Sequence, residues 1–178
     1  MRLITLLFVA SLMGSCQLPH GDAPIPLDTE ILIERTYDAV DNLLAQHRSK
    51  QDTDRILVAT VVDVNNVRST SMFGRVVTEC IQSRLTQANF DVIHATVRED
   101  HMLVRSEGQF LLSRDVSNLA ADYNARTALV TTYAVVENSV ILSLKLVSTV
   151  EGSTLAAEDF VLAKSPSIDE MLVKRGGF

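Results

Sequence analysis

Two cysteines, four histidines and one Ser-Arg-Asp run are where this sequence could do chemistry. A thiol is a nucleophile and an imidazole is a base or a metal ligand. A hydroxyl beside a cation and a carboxylate holds the parts of a catalytic group. Ser113, Arg114 and Asp115 are adjacent in the chain, however, and adjacent side chains seldom converge on one substrate atom. A simpler reading is structural: Ser113 caps a helix, Asp115 lies in its first turn where the dipole favours an anion, and Arg114 pairs with a nearby acid. An exposed Arg114 would instead be the polar anchor of a protein interface, a role arginine often fills. His94, Asp100 and His101 are types that suit zinc, yet no fixed ligand spacing joins them, and they read as solvated loop residues. His20 falls on a tether and His47 at a helix end, so no metal is expected.

Nucleotide and hydrolase chemistry find no support in the motifs. The seven glycines form neither a phosphate-cradling G-x-x-x-x-G-K nor a dinucleotide G-x-G-x-x-G, and there is no G-x-S-x-G elbow and no H-E-x-x-H. No cofactor and no catalytic residue are expected. Cys80 falls in the stripe Phe73, Val76, Val77, Cys80, Ile81, which is helical spacing, and reads as a small buried apolar residue.

Cys16 stands apart, directly after an apolar run and before "QLPHGDAPIPL", which holds three of the four prolines. Met1-Arg2 brings one positive charge, "LITLLFVA" is uncharged, and Met13-Gly14-Ser15 supplies small residues before the cysteine, the pattern of a secretory signal. The run is too short to span about 30 Å of hydrocarbon as a helix. Leu12 to Cys16 resembles the lipobox of bacterial lipoproteins, with Met13 in place of the more usual leucine. That resemblance implies lipidation of Cys16, and each buried methylene of the lipid contributes ~0.8 kcal/mol of membrane affinity. The bland alternative is an ordinary cleaved signal with a chance cysteine. Gln17, in place of the aspartate associated with inner-membrane retention, implies by the same resemblance the periplasmic face of the outer membrane.

The expected division is a signal peptide over 1–15, a lipidated cysteine and proline-rich tether over 16–27, an α/β domain over 28–165 and a tail over 166–178. Proline-rich chain extends at about 3.1 Å per residue, so the tether could hold the domain roughly 30 Å from the bilayer. Loss of Arg2 with the signal takes the net charge from −6 to −7, which argues against nucleic acid and anionic headgroups as partners. With Cys16 carrying lipid, Cys80 has no disulfide partner in the chain.

The elements follow from periodicity. Asp28 can cap a first helix to about His47 with Ile33, Tyr37, Val40 and Leu44 on one face. "RILVATVVDV" (55–64) is a nearly continuous β-branched run and reads as a central strand covered on both faces. The Cys80 helix and "NFDVIHA" complete a strand-helix-strand crossover. Ser113 would cap a third helix carrying Val116, Leu119, Ala120 and Tyr123. Period-two runs over 127–136, from Ser139, and over 153–164, with turns at Glu137-Asn138 and Glu151-Gly152, make an antiparallel meander. The fold expected is α/β (α+β-like), a mixed sheet of about five strands with helices packed on it.

Residues Gly74 to Tyr133, and above all "GQFLLSRD" (108–115), resemble the FlgO family of envelope lipoproteins. Asn89 stands where that family's strand opening usually has glycine, and Thr131 replaces the glycine before Thr132-Tyr133. "SLKLVSTVEGSTLAAEDFVL" extends the likeness almost to the C-terminus. The resemblance implies a fold similar to the N-terminal α/β domain of periplasmic TolB proteins. It also implies an accessory role at the outer membrane, in flagellar assembly or stability, with protein partners in that complex. The other class of function is an envelope protein binding a small molecule or glycan. That would need a pocket of convergent polar groups, which a Trp-free chain with few aromatics does not advertise.

Overall fold

The computed structural model describes residues 27–47, 55–67, 70–95, 120 and 122–173. Helix α1 (Leu27–Gln46) begins one residue before Asp28, which therefore lies in its first turn and not at the cap. Its buried stripe is Leu32, Thr36, Ala39, Val40 and Leu43, so the inward face is turned by about one residue from the one expected. Thr36 is tolerated inside because its hydroxyl donates to the Leu32 carbonyl at 2.7 Å. Ile33 is left 39% exposed, and Tyr37 lies at the rim beneath the Arg84 guanidinium, 5.7 Å from its ring centre.

The β-branched run 55–64 makes two strands, β1 (Arg55–Ala59) and the short β2 (Val62–Asp63), where a single strand was expected. Polar side chains divert the backbone between them. Val61 N–H donates to Thr78 Oγ1 and Val61 C=O accepts from Thr70 Oγ1, each at 2.9 Å. After α2 (Met72–Gln87) come β3 (Asp91–Ala95), β4 (Thr127–Val135), β5 (Ser139–Ser148) and β6 (Thr154–Ala163). The sheet runs β3-β1-β4-β5-β6 with β2 beside β4. β1 pairs in parallel with β3 and β4, and β4-β5-β6 is the expected antiparallel meander. The mixed α/β fold is as expected, with the two-residue β2 added to the five anticipated strands.

β1 is covered on both faces. Ile56 and Val58 join the core under the helices, with Leu129, Tyr133, Leu142, Leu144 and Leu146. Leu57 points the other way, onto Ala120, Ala125 and Ala128. Leu142, Leu144 and Leu146 are all essentially buried, as their period-two spacing requires. The first hairpin turns at Glu137-Asn138, with Val136 N–H donating to Ser139 C=O at 2.9 Å. The second holds Gly152 at φ +69°, a conformation glycine adopts at no steric cost.

In α2, Phe73, Val77, Ile81 and Leu85 are buried, whereas Cys80 is only half-buried and lies on the flank of the stripe. Burial, helped by the charge of Glu79, pushes its thiol pKa above the usual cysteine value. α1 and α2 are clamped by Arg84, which reaches both carboxylate oxygens of Asp41 at 2.7 and 2.5 Å.

Part of the expected tail is folded. Pro166–Leu172 forms α3, capped by the Ser165 hydroxyl accepting from Ile168 N–H at 3.2 Å, and it buries Ile168 and Met171. The charges of Asp169 and Glu170 conceal this i, i+3 apolar pair in the sequence. Of the helix expected after Ser113, Val116 and Leu119 lie outside the described residues. Ala120 is buried as expected, and Tyr123 is 49% exposed instead of facing inward.

Candidate functional site

Cys16, Asp100, His101 and the Ser113-Arg114-Asp115 run all lie outside the described residues. His94 is exposed near the end of β3, its Nε2 3.4 Å from Thr60 Oγ1. Among the described residues no three His, Cys, Asp or Glu side chains gather as a metal site. Two other places concentrate polar side chains, one sealed and one open.

The sealed one is the start of α2. Ser71 Oγ accepts from Gly74 N–H at 3.1 Å and lies 2.8 Å from the Tyr133 hydroxyl, both side chains buried. Thr78 Oγ1 donates to Gly74 C=O at 2.7 Å while accepting from Val61 N–H. A Cβ on Gly74 would fall on Val61 O and Thr70 Oγ1, so this helix turn can sit against the β1–β2 connection only because residue 74 has no side chain. The Tyr133 ring meets Phe73 edge-on at 5.2 Å. Burial pushes the Tyr133 pKa up, the Ser71 hydrogen bond opposes this, and Asp63 adds to the rise. With a neutral phenol and no base hydrogen-bonded to Ser71 among the described residues, this cluster joins elements together.

The open one is a cleft of about 360 Å³ between the first turns of α1, the end of β6 and the start of α3. Leu162 and Ile168 are its buried apolar floor, and Ile31 stands 42% exposed on its wall. Asp28, Arg35 and Lys164 supply the rim. Hydrogen bonding from Ser165 holds the Asp28 carboxyl below its usual pKa, partly offset by desolvation, with Ser167 and the Thr29 amide also lowering it. Lys164 Nζ pairs with Asp169 at 3.0 Å. Arg35 makes no ion pair or hydrogen bond among the described residues and offers the cleft a free cation.

An apolar floor with a fixed carboxylate and a guanidinium that has no partner among the described residues can hold a chain segment. The hydroxyl-carboxylate contact within its lining, Ser165 to Asp28, joins a helix-capping serine to a carboxylate whose lowered pKa makes it a weak base, so it does not supply an activated nucleophile. Sequence reasoning missed this site because its walls are remote in the chain. The Ser165-Pro166 pair, a cap followed by proline at the first helical position, was the signal that could have placed α3 there.

Similarity to known proteins bears on the same fold. The model of the FlgO protein family matches residues 37–167, well over half of the chain. Among solved structures, the LpoB C-terminal domain from Escherichia coli aligns at a TM-score of 0.51 and 13% identity, covering 75% of this chain and 98% of that one. The LpoB C-terminal domain from Salmonella enterica gives 0.48 at 14% identity, covering 72% and 96%. Lipoprotein GNA1162 from Neisseria meningitidis gives 0.42 at 17%, covering 64% and 83%. No curated protein matches the chain.

Proposed function

The chain belongs to the FlgO family, and on that premise we propose that it is a non-enzymatic lipoprotein of the outer membrane that assists assembly or stability of the flagellum. Lipid on Cys16 fixes it to the periplasmic face, the residues between Cys16 and the start of α1 are the tether, and the α/β domain docks on protein partners in the flagellar or envelope complex. The observation that carries this reading is the family match across residues 37–167, which takes in the second half of α1, all of α2 and every described strand of the sheet. The lipobox resemblance at Cys16 supports the anchor. Ser113, Arg114 and Asp115, the family block, are proposed as part of the contact surface, with Arg114 as its polar anchor. The cleft supports docking over catalysis, since it offers apolar surface and charge, and its Ser165-Asp28 contact is a helix cap on a weakly basic carboxylate.

A deletion strain tests this reading. It should lose swimming, and regain it with the wild-type chain but not with Cys16→Ala, which should also abolish palmitate labelling. Normal swimming of the deletion strain contradicts the flagellar role, and palmitate labelling of Cys16→Ala contradicts the anchor.

A further inference from the structure

The end of β6 that borders the cleft gives the docking role a surface, and this inference rests on that role. α1 and β6 lie side by side. Asp28 to Gln46 spans about 27 Å at 1.5 Å per residue, and Ala157 to Ser165 spans about 26 Å at 3.3 Å per residue. Their ends meet in reverse order, Gln46 bonding Ala157 and Asp28 bonding Ser165. Among the described residues β6 is the last strand of the sheet, so alternate residues direct N–H and C=O away from β5. Lys164 N–H donates to Asn138 C=O, which assigns the even-numbered residues to β5 and turns Ala157, Asp159, Val161 and Ala163 outward.

The two halves of this edge differ. Gln46 Oε1 accepts from Ala157 N–H at 3.3 Å, and Asn42 and Gln46 hold the Glu158 carboxylate at 3.0 Å each, so α1 closes the first half. Among the described residues nothing meets the outward backbone groups of Asp159, Val161 and Ala163. A row of unpaired strand groups is a template for another strand. Val161, 58% exposed, and Ala163 of this row line the cleft together with Arg35, which has no ion pair or hydrogen bond among the described residues.

We propose that the Asp159–Ala163 edge of β6 binds an extended peptide of a protein partner by strand addition, with an apolar side chain set against Ile31 and a carboxylate against Arg35. Strand addition draws affinity from backbone hydrogen bonds and specificity from neighbouring pockets, and both are present. At the rim Arg35, without a partner among the described residues, selects a segment with one carboxylate set against it, while Asp28 and Asp159 disfavour further acids. A second copy of this chain fits less well: edge-to-edge pairing would bring together two Asp159-bearing strands of a chain of net charge −6.

The test pans the full lipidated chain, in detergent micelles, against phage-displayed random nonapeptides and measures the enriched peptides in solution. Binders should alternate apolar residues and carry a carboxylate, and binding should slow amide exchange at Val161 and Ala163 while leaving Ala157 unchanged. Val161→Pro removes an outward N–H without touching the β5 ladder and should weaken binding about tenfold or more. Val161→Thr should stay within about threefold of wild type, and Arg35→Ala should cost about threefold. Should Val161→Pro unfold, Arg35→Glu carries the test by shifting enrichment from acidic to basic peptides. Absence of enrichment, undiminished binding by a folded Val161→Pro chain, or unchanged enrichment with Arg35→Glu overturns the proposal. A wild-type dimer that Val161→Pro converts to monomer also overturns it, by giving the edge to a second copy. Swimming separates the two readings. A deletion strain that swims normally removes the flagellar role and leaves peptide binding standing; Val161→Pro that restores swimming fully removes the edge and leaves the role.

Discussion

Ser71 and Ser165 perform the same local task, each capping a helix by accepting from the amide three residues on, yet their surroundings are opposite. Ser71 is 3% exposed and welded to Tyr133, with Gly74 and Thr78 completing a network that ties α2 to the β1–β2 connection and to β4. Ser165 is half-buried and gives its hydroxyl to Asp28 at the rim of a cleft. One cap is spent on the fold; the other shapes a surface while leaving apolar and charged groups beside it unused. A serine cap thus does not by itself tell a structural from a functional helix start. What surrounds the cap does.

Substitutions can break this contrast. The largest expected effect is at the sealed end: Gly74→Ala drives a methyl into Val61 O and Thr70 Oγ1 and should destabilise by about 3 kcal/mol, read by urea unfolding. Tyr133→Phe leaves buried Ser71 Oγ with Gly74 N–H alone of its two partners and should cost about 1–2 kcal/mol. It should also change the alkaline limb. The folded pKa of Tyr133 is raised, so its contribution is complete below the unfolded value near 10 and is lost as pH rises through the folded value. Wild type should therefore lose stability in that alkaline range, and Tyr133→Phe should lose less. Ser165→Ala at the open end should cost about 1 kcal/mol through the lost cap. In that variant the Asp28 pKa, followed by NMR titration, should return upward toward 3.8. The smallest effect on stability is expected at the cleft wall, where Arg35→Ala should stay within about 0.5 kcal/mol of wild type. A loss there comparable to Tyr133→Phe would erase the distinction between the two ends.

Much of the fold was legible because its strongest signals are local. The meander announces itself through Leu142, Leu144 and Leu146, and β1 through an unbroken β-branched run. α1 was misread by one residue because Thr36, polar by type, satisfies itself on Leu32 and takes an inward position. The break after Ala59 needs Thr78, 17 residues on from Val61, and so left no local trace. Asn89 has φ +66°, which explains in physical terms why a glycine would suit that position and why asparagine is a workable replacement. Thr131, the other departure from the family pattern, is buried with a hydroxyl that has no partner among the described residues, a cost the sequence alone does not reveal. The cleft was illegible for a different reason: α1 and β6 meet across separations such as the 116 residues between Asn42 and Glu158, and no spacing rule reaches that far.

The most direct measurement is an immunoblot of detergent-extracted hook–basal bodies from cells producing the wild-type, Val161→Pro or Val161→Thr chain, all lipidated and folded. Wild type and Val161→Thr should be enriched with the structures, and Val161→Pro should be lost from them. Absence of the wild-type chain from hook–basal bodies that are otherwise intact would contradict it.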